Sequence, residues 1–192
     1  SAAQCVRKAV DEYAYESAEQ RSRVTVRVAG DFTFLGDQTA FELVLFNLLK
    51  NALYYLPVRP QASVEIRVEA APQPRVVVHD TGPGIAPELM PRLFQDFQTA
   101  GKTGGTGLGL AFCRRVMRAF GGEITCRSEP GRFTEFVLAY PAVPHAGPAG
   151  SQAPAQAGSD GTVFSNRAVM VVDDQALNRA VVRALAADLG LA

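Results

Sequence analysis

Two glycine-rich turns constrain how this chain can fold more than any other feature. The first, Asp-Thr-Gly-Pro-Gly at residues 80–84, follows directly after the apolar, strand-like residues 75–79. The second, Gly-Gly-Thr-Gly-Leu-Gly-Leu at residues 104–110, runs into a segment with helical periodicity. Glycine lets a ligand approach the backbone closely, and free amides at a helix start suit an anion. The pair predicts a site for a phosphorylated ligand.

The first turn carries Asp80 at the end of the predicted strand. Its carboxylate could accept a hydrogen bond from the exocyclic amine of a base such as adenine. Gly82 and Gly84 would let that base approach the backbone. An ordinary Asp-Gly turn is the alternative, because both residues are frequent in turns. The segment is longer than such a turn requires, which favours a binding role.

The second turn offers several groups to a phosphate chain. Its amides and the dipole of the following helix attract anions, Thr106 adds a hydroxyl, and Lys102 could place a cation on the β- or γ-phosphate. A dinucleotide fingerprint fits less well, because its glycine spacing differs and no strand closely precedes this turn. The complete P-loop motif does not occur either.

Asn47 and Asn51 are spaced i, i+4 and project from one face of the helix predicted over residues 38–56. Two amides on an otherwise apolar helix need partners, because an unpaired buried amide is costly. A local hydrogen-bond network is the slightly favoured interpretation of the helix alone. Metal binding is the alternative, since an amide oxygen suits Mg²⁺ better than Zn²⁺.

The composition fits a globular domain without a nucleic-acid partner. Nineteen basic residues balance 19 acidic ones, so no net field gathers a polyanion. No apolar run reaches the roughly 20 residues that span a bilayer, and no signal peptide is recognisable. Three scattered cysteines have neither metal-ligand nor disulfide spacing and fit a reducing compartment. We therefore expect a cytoplasmic domain that is not itself inserted in a membrane.

The composition changes sharply after residue 141. Residues 142–166 are rich in Ala, Gly and Pro, which is typical of a linker. Residues 167–192 begin with an apolar run that ends in Asp173 and Asp174, and apolar residues then recur at helical spacing. One strand and one helix cannot bury a core. We therefore predict a domain over residues 1–141, a linker over 142–166 and a truncated βα unit over 167–192.

The motifs of residues 1–141, taken in order, resemble the catalytic and ATP-binding domain of sensor histidine kinases, which belongs to the GHKL superfamily. The asparagine helix, Asp-x-Gly-x-Gly, a Phe-containing segment at residues 93–97 and Gly-x-Gly-x-Gly follow one another as in that family. The resemblance implies an α+β Bergerat-type ATP-binding fold. This fold is a two-layer α/β sandwich with a mixed, mostly antiparallel sheet and helices on one face.

The resemblance also implies roles for individual residues, with ATP and Mg²⁺ as cofactors. Asn51 is similar to the family's Mg²⁺ ligand, Asn47 to its partner near the triphosphate, and Asp80 to the carboxylate that reads adenine. Tyr55 falls where the family often places an aromatic ring beside the nucleotide. The remaining expected nucleotide contacts are Gly82, Gly84, Lys102, Gly105, Thr106, Gly107, Leu108 and Gly109. Asn47 and Lys102 are the residues expected to act in catalysis.

Two features depart from the family pattern. The lid is short, which implies weak nucleotide retention. Tyr54 stands where many relatives carry Lys, so a contact with phosphate or with a Mg²⁺-bound water is missing from the expected set.

The implied activity is transfer of the ATP γ-phosphoryl group to a histidine on an upstream dimerisation domain, so this chain is expected to bind ATP without phosphorylating itself. ATPases of the superfamily place a Glu one turn before the metal-binding Asn. This chain has Asn47 there, and an amide is a poor general base. Glu42 lies off the register of the pocket. A non-catalytic ATP-binding regulatory module and a GHKL-type ATPase stay open as alternatives.

Residues 167–192 resemble the opening of a response-regulator receiver domain, in which Asp173 and Asp174 would hold Mg²⁺. A helix cap is the alternative interpretation of the two acids. The combination implies a hybrid histidine kinase in two-component signal transduction. Its expected partners are ATP, the upstream phosphoacceptor domain and the receiver domain, and the full protein could be membrane-anchored.

Overall fold

A five-stranded sheet with helices on one face organises the computed structural model, which describes residues 1–57, 59–97 and 107–141. The elements in chain order are α1 (Ala2–Glu12), α2 (Ala18–Ser22), β1 (Val24–Val28), α3 (Gln38–Leu53), β2 (Val64–Glu69), β3 (Arg75–Asp80), a 3-10 helix (Pro87–Arg92), α4 (Gly109–Ala119), β4 (Glu123–Glu129) and β5 (Phe133–Ala139). None of the helices in these ranges is both long and apolar enough to cross a bilayer.

The strand order is β1-β2-β3-β5-β4. β1 and β2 run parallel, and α3 is the crossover that parallel neighbours require. The other three pairs are antiparallel, including the β2–β3 hairpin that the alternating pattern predicts. β3 pairs with β5 rather than with β4, so the chain between them leaves the sheet at the end of β3. The predicted mixed, mostly antiparallel sheet is confirmed.

The two faces of the sheet differ because successive strand side chains point to opposite sides. In β2, Val64, Ile66 and Val68 are buried against the helices. Arg67, on the opposite face, bonds Glu65 at 2.8 Å and Glu135 at 2.9 Å. One face is therefore apolar and covered, whereas the other is charged and open, which confirms the two-layer arrangement with helices on one side.

Apolar residues recur at helical spacing over residues 3–20, which predicts one N-terminal helix, but α1 is shorter than this. α1 ends at Glu12 because Tyr13 is extended, with ψ 132°. The Tyr13 ring packs on Tyr15 at 4.8 Å and on Phe46 of α3 at 5.6 Å between centroids. Ser17 then caps α2 by accepting a hydrogen bond from the Gln20 amide. Tertiary contacts thus override the local helical pattern.

Tyr140 lies in an aromatic cluster, with ring centroids 4.9 Å from Phe34, 5.3 Å from Phe32 and 6.5 Å from Phe41. Its buried hydroxyl has no hydrogen-bond partner in the described ranges, and burial raises the pKa of the phenol. We expect Tyr140→Phe to leave the free energy of unfolding unchanged or to raise it by up to about 1 kcal/mol, because an unsatisfied polar group is removed. Urea unfolding measures this change.

The matched variant is Tyr140→Leu, which also removes the ring contacts. It should lower the free energy of unfolding by about 1–3 kcal/mol. If Tyr140→Phe were the more damaging of the two, the hydroxyl would have to make a stabilising hydrogen bond.

Candidate functional site

The asparagine helix and the end of the second glycine-rich turn are in direct contact where α3 passes the start of α4. A Cβ atom placed on Gly109 would lie 2.5 Å from Asn47 Oδ1, so a larger residue here would push the Asn47 side chain out of its present position. The Asn47 amide nitrogen donates a hydrogen bond to the Leu43 carbonyl of its own helix at 2.8 Å. Asn47 therefore satisfies part of its polar side chain locally and packs against the first residue of α4. Its predicted role near the triphosphate stays a prediction.

Asp80 is the last residue of the central strand β3 and is 7% exposed. Its Oδ1 accepts a hydrogen bond from the Gly82 amide at 2.9 Å. A Cβ atom on Gly82 would approach that same oxygen to 2.6 Å. The Gly82 amide thus orients the carboxylate, and a side chain at position 82 would displace the carboxylate from this orientation. A buried, oriented carboxylate at a strand end is suited to recognising a hydrogen-bond donor on a ligand.

Gly84 adopts φ +72°, in the left-handed region that favours glycine. A Cβ atom there would lie 2.3 Å from the Glu129 carbonyl oxygen, at the end of β4. The Asp-x-Gly-x-Gly turn therefore lies backbone against backbone on the β4–β5 turn. This close packing fixes the wall beside Asp80.

Three polar or aromatic residues follow along the C-terminal end of α3. Asn51 and Tyr55 are half-buried, and Tyr54 is exposed. The rings of Tyr54 and Tyr55 meet edge to face at 4.9 Å. Burial raises the pKa of Tyr55, and the nearby charges of Tyr54 and Asp80 raise it further. The expected place of the Tyr55 ring beside the nucleotide stays a prediction.

Asn51 is the residue of α3 that the sequence assigns to Mg²⁺. Mg²⁺ usually binds one or two protein oxygens and completes its shell with water and substrate phosphates. Asn51 supplies an amide oxygen of this kind. Across the described ranges no group of three or more His, Cys, Asp or Glu side chains could hold a metal ion. The donor set thus fits a magnesium ion carried mainly by a nucleotide rather than one held by the protein alone.

The helix α4 begins at Gly109, whereas the helical pattern that follows the second glycine-rich turn predicts a start at Gly107. Gly107 has φ +68° and is therefore outside helical geometry, whereas Leu108 is the half-exposed N-cap residue. The first residue of α4, Gly109, lies beside Asn47. The other predicted lid contacts lie outside the described residues, as do the two acids of the C-terminal segment: Lys102, Gly105, Thr106, Asp173 and Asp174.

Glu42 is the only carboxylate within α3, and it is turned away from Asn51. Its Oε1 accepts hydrogen bonds from Lys8 Nζ and from Gln38 Nε2, each at 2.8 Å. The side chain is buried at the contact between α3 and α1. Glu42 therefore joins two helices and does not face the turn at Asp80.

One histidine and two cysteines, His79, Cys113 and Cys126, could in principle act as nucleophiles, but their surroundings do not suit that role. The His79 ring stacks on Phe133 at 5.4 Å, and its Nδ1 lies 3.4 Å from Glu135 on the open face of the sheet. Burial raises the pKa of the Cys113 and Cys126 thiols to about 12, so both stay protonated at neutral pH. A protonated thiol is a poor nucleophile. None of these three residues is a good candidate for covalent catalysis.

Sequence reasoning missed the parts of the site that come from distant chain segments. Pro130 and Gly131 are typical turn residues, and the β4–β5 turn that they form packs against the Asp-x-Gly-x-Gly turn. Arg59 contacts the carbonyls of Gly82 and Gly131, although no local motif includes it. Neither role has a local signal, because both depend on residues that are far apart in the chain.

Residues 36–144 match the family described as histidine kinase-, DNA gyrase B- and HSP90-like ATPase. The chain is 42% identical over 142 residues to the autoinducer 1 sensor kinase/phosphatase LuxN of Vibrio harveyi, covering 73% of this chain and 17% of that protein. It is 46% identical over 137 residues to the CAI-1 autoinducer sensor kinase/phosphatase CqsS of Vibrio cholerae, covering 71% and 20%. The chain thus spans a fifth or less of these relatives.

The chain also resembles solved structures of histidine kinases. Full-length ShkA in complex with AMPPNP has a TM-score of 0.61 and 27% identity, over 73% of this chain and 30% of that one. The catalytic domain of histidine kinase ThkA has a TM-score of 0.59 and 26% identity, over 72% and 90%. The likeness to ThkA covers nearly all of a kinase catalytic domain.

Proposed function

Because this chain belongs to the histidine kinase-, DNA gyrase B- and HSP90-like ATPase family and forms an ATP-binding domain of the sensor histidine kinase type, we propose that it transfers the γ-phosphoryl group of ATP to a histidine on a separate helical domain. The acceptor histidine would lie upstream, on the dimerisation domain. The activity is that of a protein histidine kinase, and the proposed setting is the cytoplasm.

The position of Glu42 is the observation that carries this proposal. Hydrolysis needs a base to activate water, and the only carboxylate of α3 is held by Lys8 and Gln38 at the α1 contact. The residue one turn before Asn51 is Asn47, whose amide cannot serve as a general base. Transfer to a protein nucleophile needs no such base on α3, because the imidazole nitrogen already carries a lone pair.

The residues of the site would then divide the work of binding and orientation. Asp80, held by the Gly82 amide, would accept a hydrogen bond from the adenine amine. Asn51 would hold Mg²⁺, which when bound neutralises charge on the β- and γ-phosphates. The amides at the start of α4 would contact the phosphate chain. The imidazole nitrogen would attack the γ-phosphorus in line, and the bond between the γ-phosphorus and the oxygen that leaves with ADP would break. The protein's contribution to this step is therefore positioning.

The proposal extends to the lid and the C-terminal segment. Lys102 and Thr106 would contact the phosphates from the lid. Asp173 and Asp174 would hold the Mg²⁺ of a receiver domain, to which the phosphoryl group passes from the histidine. The order of a kinase domain, an Ala/Gly/Pro-rich stretch and an apolar run ending in two acids supports this hybrid arrangement.

The test is phosphotransfer to helical-hairpin phosphoacceptor domains supplied in trans with γ-labelled ATP and Mg²⁺. We expect an acid-labile label on the hairpin. Asn51→Ala should lower the transfer rate by about 100-fold or more, because an oriented group at the reacting phosphate is lost. Lys50→Ala, an exposed neighbour on α3, is the matched control and should keep the native rate.

Three outcomes separate the candidate functions. Label on the hairpin that depends on Asn51 supports the kinase. Tight ATP binding with no transfer to any of several hairpins would instead favour the regulatory module. Steady phosphate release by the chain alone would identify an ATPase.

A further inference from the structure

The Asp-x-Gly-x-Gly turn at residues 80–84 is hydrogen-bonded on one side to the β4–β5 turn. The Gly131 amide donates a hydrogen bond to the Pro83 carbonyl at 2.7 Å. The Ile85 amide donates to Ser128 Oγ at 2.8 Å, and that hydroxyl donates onward to the Phe133 carbonyl at 2.7 Å. These bonds join residues 83–85 to the end of the β4–β5 hairpin, so a shift of either turn would move the other.

The opposite flank of the turn is held by the segment that follows α3. The Thr81 amide donates to the Ser63 carbonyl at 3.0 Å. The Ser63 amide donates in return to Thr81 Oγ1 at 2.9 Å. The Asp-x-Gly-x-Gly turn therefore lies between two supports that are distant in sequence.

Arg59 lies in the segment after α3 and contacts both the β4–β5 turn and the Asp-x-Gly-x-Gly turn. Its Nη1 lies 2.9 Å from the Gly131 carbonyl oxygen and makes a longer contact of 3.5 Å with the Gly82 carbonyl oxygen. Its own backbone is fixed, because its amide donates to the Tyr55 carbonyl and its carbonyl accepts from the Ala62 amide, both at 2.9 Å. A guanidinium is a stronger donor to a carbonyl than a neutral group is.

The charge of Arg59 is directed at these carbonyls. No carboxylate of the described ranges lies within ion-pair distance of its guanidinium. Gly82 is thereby held on both of its peptide groups: its amide bonds Asp80 Oδ1, and its carbonyl faces Arg59. Loss of the guanidinium would release the second of these contacts while leaving the β3 strand intact.

We propose that Arg59 is a positioning residue for nucleotide binding, which holds the Gly82 peptide and thereby the Asp80 carboxylate in the orientation that accepts the base. This inference rests on the proposed function, because it assigns the base to Asp80. Arg59 acts through the turn and contacts no phosphate. Its removal weakens recognition of the base itself, whatever the number of phosphates attached.

The test compares calorimetric titrations of the full chain with adenosine and with ATP. Arg59→Met should weaken both by the same factor, about 3- to 10-fold, because one charge-assisted contact with the turn is lost. Arg59→Lys, which keeps a cationic donor, should recover part of the affinity. Arg27→Met removes another exposed arginine, on β1, and should bind both ligands as the native chain does.

Hydrogen exchange gives a second readout that does not require a ligand. Arg59→Met should speed exchange of the Gly131 amide, which bonds Pro83, while the amides of α1 and α3 exchange at the native rate. An equal rise throughout the chain would indicate general destabilisation and would reject a local positioning role.

The remaining outcomes are distinct. A loss confined to ATP would mean that Arg59 binds phosphate directly, and native affinity for both ligands would mean that the turn holds without it; each overturns the inference. If the native chain bound neither ligand, the proposed function would fail. Unchanged exchange at Gly131 in Arg59→Met would then reject the support of the turn as well.

Discussion

Replacing Asp80 with Asn is expected to weaken ATP binding by roughly 10- to 100-fold, the range for losing a charge-assisted hydrogen bond in a buried site. The native carboxylate is acceptor-only and already accepts from the Gly82 amide at 2.9 Å. An Asn side chain offers one acceptor oxygen. This oxygen can accept a hydrogen bond from the Gly82 amide or from the adenine amine. The NH₂ group of the Asn side chain then faces the other of these two donors, and no hydrogen bond forms there.

Calorimetric titration with ATP and with GTP measures this effect. Guanine presents a carbonyl where adenine presents an amine, so Asp80→Asn should lose ATP affinity and move the preference toward GTP. Asp11→Asn removes an exposed carboxylate that pairs with Arg21 on the protein surface, and should behave as the native chain does. Native ATP affinity in Asp80→Asn would show that the base is read elsewhere.

Replacing Gly84 with Ala should lower the free energy of unfolding by about 2–4 kcal/mol and weaken ATP binding at least about 10-fold. The position has φ +72°, which an L side chain rarely adopts. The added methyl would also lie 2.3 Å from the Glu129 carbonyl oxygen, 2.8 Å from its carbon and 2.9 Å from Pro130 Cα. All three neighbours are backbone atoms, so the turn itself must move away from β4.

Gly121→Ala separates the cost of a positive φ from the cost of a steric clash. Gly121 has φ +71°, and the nearest atom to an added methyl is Pro141 Cγ at an ordinary 3.7 Å. Only the backbone conformation should then matter, which costs about 1–2 kcal/mol. Urea unfolding gives the stabilities, and ATP titration should show native affinity for Gly121→Ala. Equal costs for the two variants would contradict a clash at Gly84.

The sheet was predictable where its signal is local. Alternation over residues 63–69 and the apolar run at 75–79 predict two neighbouring strands that form a hairpin, and the β2–β3 pairing confirms it. The parallel pairing of β1 with β2 has no such signal, and the family resemblance implies a mixed sheet without saying which strands run parallel. The N-terminal helix was predicted too long, because the extended Tyr13 is stabilised by Phe46, a residue of another helix. Contacts of this kind have no periodicity to read.

The candidate site likewise contains features with a local sequence signal and contacts that have none. Asp80 and its glycine turn could be recognised because residue types and spacing within a few positions decide their conformation. The packing of Gly109 on Asn47, and the contacts of Arg59 with Gly82 and Gly131, join segments separated by many residues. A single sequence contains no pattern for such pairs, so only the folded chain reveals them.

The pairing of β3 with β5 has a consequence for how such a domain can change. After β3 the chain makes an excursion from the sheet that contains the 3-10 helix and α4, and only then does it return to add β4 and β5. An insertion or deletion within the excursion alters no strand register. The length of chain between β3 and β4 can therefore change over evolutionary time while the pairing of all five strands is kept.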